Sequence, residues 1–478
     1  MKSQHIHFIG IAGSAIAPVA ILMKSLGHKV TGSDEAVYEP ARTLLSEAGV
    51  EWSEGYDAER IKPADLVILG GAPLMVDINN PEFLAAKELG KQLEGYAYLL
   101  KQYVVKDESI VVTGTYGKTT TSALVNWILD VAGENPSFMI GGKPQNFENG
   151  VRMTDSKYSC LEGDEYLAVF HFDEEPRFLR YAPKYAILSA AKWDHINVYP
   201  TEDSYVDAFK KLPAEVNKNG GKMYVCASGE NNAKAVAEYD GELILYMLEG
   251  RDSSQFEGRD VNYLAKEIRT EGGKTLFTVE LNGGIIGDFE TELIGDFNVE
   301  NCLAAITITH DLGIDIAKIK EAISTFKGIM RRLELKGYTS RGSSVIDDFA
   351  HSAVKAKATL DTLRVTYPDR KLICIYYPRP SEREDKNVLS WYEGAFDSAD
   401  LMILPRIFVK KSTEKEQRIY GKDYIEVISK TQPNAHYVPR NEDIVKLIKE
   451  NEEDESIIVF MSAGGWGDLM ESLIDKKA

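Results

Sequence analysis

Along the chain, short apolar runs that fit strands alternate with stretches whose apolar positions recur at helical spacing. That alternation predicts α/β domains with largely parallel sheets. The first unit, HIHFIGIAGSAIAPVAILMKSLGHKVTGSD, reads as strand, glycine turn, helix and a second strand ending at Asp34. Further strands are predicted at DLVILGG and SIVVTG, and the polar stretch KQYVVKDES marks a boundary near residue 106. A central block carries strand patterns at YSCLEGD, YAILSA and KMYVCA. Residues 240–292 read as antiparallel hairpins with glycine-rich turns, and the helical patterns NVENCLAAITITHDLG and IAKIKEAISTFKGI close the block near residue 330. A third α/β unit runs through SSVIDDFAH, KLICIYY, ADLMILPR and SIIVFMSAGGWG. The expected domains are therefore 1–106, 107–330 and 331–478: a Rossmann-like domain, a P-loop-type parallel sheet with added antiparallel strands, and a second Rossmann-like domain.

Composition narrows the partners. The chain has 478 residues and a formal charge of −19, from 74 acidic and 55 basic side chains. Such a chain gains little affinity from nucleic-acid phosphates or an anionic membrane, so neither is expected as a partner. Four dispersed cysteines without a CxxC pair read as buried thiols and point to the cytoplasm. FIGIAGSAIAPVAILM has the apolar character of a signal peptide, but Gly10, Gly13 and Pro18 interrupt it and a strand follows directly, so it is expected to fold as a βαβ unit. No apolar run approaches the ~18 residues of a membrane-spanning helix.

The chemistry concentrates in VVTGTYGKTTTSALVNWIL. A glycine turn followed by a helix start aims backbone N–H groups at phosphate oxygens. Gly114 and Gly117 allow the tight path, Thr115 and Thr120 flank it, Lys118 neutralises phosphate charge, and the Thr119 hydroxyl suits Mg²⁺. Only two residues separate the glycines, against four in the common P-loop. ATP and Mg²⁺ are therefore the expected cofactors. Glu162, Asp164 and Glu165 follow one predicted strand, and Asp194 and His195 follow another, each within reach of this loop. The N-terminal GIAGSAIA departs from the GxGxxG dinucleotide fingerprint, although Asp34 stands where a carboxylate can accept from ribose hydroxyls. An NAD-dependent oxidoreductase would leave the phosphate loop without a purpose.

Ten segments, in order, resemble the Mur ligase family. Among them are HFIGIAGSAIA, GTYGKTTTS, EGDEY, WDHINVYPT, GDFNVENCLAA, GIMRRLELKG, DDFAHS, YYPRPSE and MSAGGWG. The family's ATP-dependent enzymes add amino acids or peptides to UDP-N-acetylmuramate in cell-wall synthesis and recycling. The resemblance implies a UDP-sugar domain, an ATP domain and an amine-presenting C-terminal domain. It assigns Lys118 to the β/γ-phosphates, Thr119, Glu165 and His195 to metal, and Asn301 to adenine. Arg332 and Asp348 fall to phosphates and ribose, and Gly10, Ile11, Ala12, Gly13 and Asp34 to UDP. Lys118, Glu165, His195 and Arg332 form the implied catalytic set.

Within the family, EGYDAERI, EGDEYLAVFHFDEE, YPRPSE and MSAGGWG resemble the branch that rejoins the tripeptide L-alanyl-γ-D-glutamyl-meso-diaminopimelate. The tripeptide is thus the expected amine, with free L-alanine the alternative. Arg379, Ser381 and Arg383 are its expected receivers, and Arg406, Lys410, Lys411, Lys415 and Arg418 are further candidates. A monomer or weak homodimer is expected. Ala190 and Lys192 depart from the family pattern beside His195, and Tyr116 and Phe297 replace histidines. Those changes leave open a regulator that kept the fold and lost turnover.

Overall fold

The computed structural model describes residues 2–39, 41–71, 73–195, 198–271, 274–383, 386–408 and 418–475. The chain divides into two compact units, Met1–Gly328 and Ile329–Ala478. The first unit holds two main sheets and the second holds one.

The first sheet consists of His5–Ile9 (β1), Lys29–Asp34 (β2), Glu51–Glu54 (β3), Leu66–Leu69 (β4) and Gln92–Gly95 (β5). All are parallel, in the order β3-β2-β1-β4-β5. The central strands β1 and β4 are buried throughout, as expected where helices cover both faces. Strand order reverses at β1, so the chain leaving its carboxyl end opens a crevice between diverging connections. The glycine turn occupies that position and the helix Ile16–Ser25 follows it.

The second sheet has ten strands: Glu108–Thr113 (β6), Ser137–Met139 (β7), Val151–Arg152 (β8), Tyr158–Glu162 (β9), Tyr185–Leu188 (β12), Lys222–Cys226 (β13), Glu242–Leu248 (β14), Tyr263–Glu271 (β15), Lys274–Leu281 (β16) and Gly284–Thr291 (β17). Between β9 and β12 a small antiparallel ribbon forms from Leu167–Val169 (β10) and Asp173–Pro176 (β11). The sheet order is β17-β16-β15-β14-β13-β12-β6-β9-β7-β8. The hairpin expectation for 240–292 holds for β15, β16 and β17, whereas β14 pairs in parallel with both β13 and β15. Its run LILYML is apolar enough to be buried on both faces, which suits an interior parallel strand. One apolar core is continuous from the first sheet into the second, taking in Ile6, Val30, Leu100, Val104, Val111 and Phe178.

The second unit is a six-stranded sheet of Glu334–Tyr338 (β18), Ser344–Asp348 (β19), Leu372–Tyr377 (β20), Leu401–Leu404 (β21), Ala435–Tyr437 (β22) and Ile457–Ser462 (β23). Its order is β18-β19-β23-β20-β21-β22, parallel except at the β18 edge. Among the described residues no helix is long and apolar enough to cross a membrane. The four cysteines are free and buried.

Candidate active site

Strand register builds the site. In the parallel array β9-β6-β12, Val112 stands opposite Glu162 and Thr113 opposite Leu188. The three strands therefore end together, and the loops after Thr113, Glu162 and Leu188 meet at one sheet edge. The loop after β6 turns at Gly114, φ +117°, where a Cβ would stand 2.3 Å from Ser189 Oγ. At Gly117, φ +74°, a Cβ would stand 2.1 Å from Asn301 Oδ1. Both positions exclude any side chain. The helix Lys118–Val131 then starts with no side-chain cap, while Ala123, Leu124, Val125, Ile128 and Leu129 bury its apolar face. Its first N–H groups are left for an anion. Thr115 pins the loop from below, its hydroxyl donating to the Lys192 carbonyl at 2.7 Å, and Thr120 is half-buried in the first turn.

Lys118 Nζ donates to the Gly114 carbonyl at 2.7 Å and to Glu165 Oε2 at 2.8 Å. The other oxygen of Glu165 lies 2.9 Å from His195 Nε2 and 3.3 Å from the Tyr205 hydroxyl. Glu165 is fully buried. Burial alone would raise its pKa, but Lys118 and His195 reverse the sign and hold it at about 2. Burial likewise pulls Lys118 down, and Glu165 and Asp164 outweigh it to leave the lysine raised. Glu165 and His195 thus converge beside Lys118, although they lie 30 residues apart in sequence. His195 adopts φ +60°, its N–H bonded to Asp194 Oδ1 at 2.7 Å and its ring 4.4 Å from that of Tyr166. Lys192 does not enter this cluster; its ammonium pairs with Glu230 at 2.7 Å.

Three further contacts define the site. Lys118 is one member of a buried ion pair, with its side chain 13% exposed. The Thr119 hydroxyl meets Glu162 Oε1 at 2.9 Å, not Glu165, and Glu162 Oε2 accepts the Gly141 N–H at 2.7 Å. Asn301 packs against the glycine loop, accepting from the Thr121 hydroxyl at 3.1 Å and donating to Asn298 at 3.2 Å. A small pocket of about 230 Å³ opens at the start of the same helix, Asp296–Asp311, lined by Ser228, Leu248, Arg251, Asp296, Phe297 and Glu300. Phe297 is 43% exposed and offers a ring face there.

Among the described residues no three His, Cys, Asp or Glu side chains form a ready-made metal cage. A hydroxyl and a carboxylate at a phosphate loop nevertheless suit Mg²⁺, which takes few protein ligands and completes its shell with phosphate and water. Thr119 and Glu162 are such a pair, and Glu165 and His195 lie beside Lys118.

At the edge of the first sheet a pocket of about 820 Å³ includes Gly10, Ala12, Gly13 and Asp34 in its lining. Ile11 is buried and faces the core. Gly10 takes φ +86° and its N–H donates to the Ser33 carbonyl at 2.8 Å. Asp34 closes the turn, accepting the Ala12 N–H at 2.9 Å and the Glu35 N–H at 2.8 Å. Burial raises its pKa against those bonds.

In the second unit, Asp348 accepts from the N–H of Leu333 and Ala350 and from the Thr359 hydroxyl, and so anchors the strand end itself. Arg332 is exposed, its guanidinium 5.2 Å from the Phe349 ring centre. Arg379 pairs through Nε with Glu382 at 2.9 Å, which balances its charge. Arg383 donates to the Tyr377 hydroxyl at 3.0 Å and to the Phe408 carbonyl at 2.9 Å. The side chain of Ser381 lies outside the described residues, as do Lys410, Lys411 and Lys415. Burial, with help from Lys355, Arg379 and Arg332, lowers the His351 pKa to about 4. Sequence reasoning had not singled out this histidine.

Three family models match in order: Mur ligase family catalytic domain over residues 5–106, Mur ligase middle domain over 112–309, and Mur ligase glutamate ligase domain over 331–464. A UDP-N-acetylmuramate–L-alanine ligase of Caldanaerobacter subterraneus is 30% identical over 477 residues, 99% of this chain and 98% of its own length. The Escherichia coli UDP-N-acetylmuramate–L-alanyl-γ-D-glutamyl-meso-2,6-diaminoheptandioate ligase is 30% identical over 476 residues, with 99% and 98% covered. The crystal structure of the Thermotoga maritima UDP-N-acetylmuramate–alanine ligase shares the fold, with a TM-score of 0.77 at 23% identity over 98% of each chain.

Two outcomes are expected. Because Glu165 is held near 2 against an ordinary 4.5, it stabilises the fold above pH 4.5, and that contribution fades as pH falls from 4.5 towards 2. Urea unfolding of Glu165→Gln should show a deficit at pH 7 that narrows by pH 3; a pH-independent gap would contradict the ion pair. Gly117→Ala should cost about 1–3 kcal/mol in the same assay, since Asn301 blocks the added methyl, and should weaken ATP binding in calorimetry.

Proposed function

The chain belongs to the Mur ligase family, the ATP-dependent amide-bond ligases of peptidoglycan biosynthesis, and from that premise we propose that it joins L-alanine to UDP-N-acetylmuramate. The observation that carries the reading is the uncapped helix start with Lys118 beside it, at the meeting of three strand ends. Amide formation from a carboxylate needs a better leaving group than oxide. Transfer of the ATP γ-phosphoryl to the lactyl carboxylate makes an acyl phosphate; the amine attacks its carbonyl carbon, the tetrahedral adduct collapses, and phosphate leaves. Two anions must be brought together, so charge neutralisation and positioning dominate the catalysis.

In this reading Gly114–Lys118 hold the triphosphate through backbone N–H groups and the Lys118 ammonium. Thr119 and Glu162 would hold Mg²⁺, which supplies further positive charge. Glu165 and His195 orient Lys118, and His195 is a second metal-side candidate. Phe297 and its pocket suit the base, and Gly10, Ala12, Gly13 and Asp34 suit the uridine end of the sugar nucleotide. Arg332, exposed and set against the Phe349 ring, is a further candidate cation for phosphate in this reading.

For the amine, the tripeptide expected from sequence gives way to free alanine. A tripeptide brings several carboxylates and needs several unspent cations, yet Arg379 is balanced by Glu382 and Arg383 is engaged by Tyr377 and Phe408. The first relative described is also an L-alanine ligase. The tripeptide stands as the second reading, because the Escherichia coli relative named for that substrate matches at the same 30% identity.

Phosphate release from ATP and UDP-N-acetylmuramate should require an amine, and kcat/KM should favour L-alanine over the tripeptide. A reversed preference would move the chain to the second reading, and no release with either amine would sink the ligase assignment. Lys118→Met should lower kcat by about 10²–10³-fold, as expected for a lost transition-state cation.

A further inference from the structure

The large pocket of the first unit has an unusual charge balance. Its lining carries four carboxylates, Asp34, Glu35, Glu39 and Asp77, and among the described residues one cationic side chain, Arg177. A UDP-sugar brings two charged phosphates, and UDP-N-acetylmuramate adds a carboxylate. Opposite the acidic lining, this guanidinium is the one side-chain cation among the described residues that an oxyanion can meet.

Arg177 is also built to receive a ligand. It comes from a different part of the chain, the 3₁₀ turn Arg177–Tyr181 that follows the small ribbon β10–β11. Its side chain is 12% exposed. Nη1 donates to Asp164 Oδ2 at 2.6 Å, Nη2 donates to the Leu167 carbonyl at 3.1 Å, and the guanidinium lies 5.1 Å from the Tyr96 ring centre. Those contacts fix the plane of the fork and use two of its five N–H groups. Nε is buried with no partner, an uncommon condition for a buried donor. Nη2 lies against Gly71, where a Cβ would stand 3.2 Å away, so the absence of a side chain at 71 leaves the guanidinium edge open to the pocket. Asp164, its anchor, shares the loop with Glu165 and adds to the field on Lys118. The arginine thus stands between the sugar-nucleotide pocket and the phosphate loop.

We infer that Arg177 is a substrate-binding residue that receives an oxyanion of the bound sugar nucleotide, its diphosphate or its lactyl carboxylate, at the end of the pocket nearest Lys118. The inference rests on the UDP-sugar reading above. A fixed guanidinium is suited to such a group, because it offers parallel N–H donors without reorganising.

The test is calorimetric binding of UDP-N-acetylmuramate and of UDP-N-acetylglucosamine, which lacks the lactyl group, to the full chain and to Arg177→Gln, with ATP affinity and Tm measured in parallel. Arg177→Gln should raise Kd for the muramate about 10–100-fold, the range for a lost bond between charged partners, with ATP affinity unchanged. Equal loss for both sugars assigns the diphosphate, and loss for the muramate alone assigns the carboxylate; either supports the inference. Arg177→Lys, which keeps the charge that Asp164 needs, should show an intermediate loss and is the variant to read if the Gln form does not fold. Unchanged sugar affinity in both variants, or a matching fall in ATP affinity, overturns the inference and leaves Arg177 as a brace for Asp164. If the unaltered protein binds neither sugar, the substrate reading itself has failed, and the inference falls with it.

Discussion

A carboxylate with no solvent exposure has to be neutralised where it stands. Glu165 meets that condition through Lys118 on one oxygen and His195 on the other. The rest of the site depends on this contact, because removing either partner would strand a buried charge. The same contact places Lys118 over the helix start before any nucleotide is present. In the proposed reading a triphosphate at the loop would compete with Glu165 for the ammonium. The lysine would then change partners and stay in place, with little ordering of its side chain left to do.

Two glycine turns in the first unit solve the same electrostatic problem in an acidic protein. Each leaves the carboxyl end of an interior parallel strand, β1 or β6, where neighbours on its two sides belong to connections running in opposite directions. Each turns through a glycine at positive φ, Gly10 or Gly117, where a Cβ would collide with a neighbouring side chain, Pro73 or Asn301. Backbone N–H groups supply positive potential without adding cationic side chains. Net charge of −19 is then no obstacle to binding nucleotides, since the field that matters is local.

Much of this was legible in the sequence, and the omissions have physical reasons. GTYGKTT announces its turn because glycine spacing and the following helix pattern are local properties. Which carboxylate of EGDE reaches Thr119 is not local: it follows from register, since Glu162 ends β9 opposite Val112 while Glu165 lies three residues into a loop. Arg177 gives no signal at all, standing in FDEEPRFLRY without a motif, and only the fold carries it to a pocket built mainly by the first sheet. Asn301 and Asp348 were correctly placed at helix and strand positions, yet their polar atoms turned out to be engaged by neighbours that sequence cannot rank. The edge strands β3, β5, β8 and β22 escaped notice because each is short and only partly apolar.

The second unit gathers positive charge around His351. Burial together with Lys355, Arg379 and Arg332 keeps His351 neutral down to about pH 4. Groups that disfavour an imidazolium also disfavour an ammonium, so under the proposed ligase reading an amine placed beside His351 would lose its proton more readily. Attack on an acyl phosphate needs that free amine. On the proposed alanine reading, one carboxylate would meet that small excess of positive charge, whereas each further carboxylate of a longer peptide would have to displace Glu382 from Arg379 or find its own cation. The Arg379–Glu382 contact is therefore the point at which the choice of amine becomes a question of charge balance.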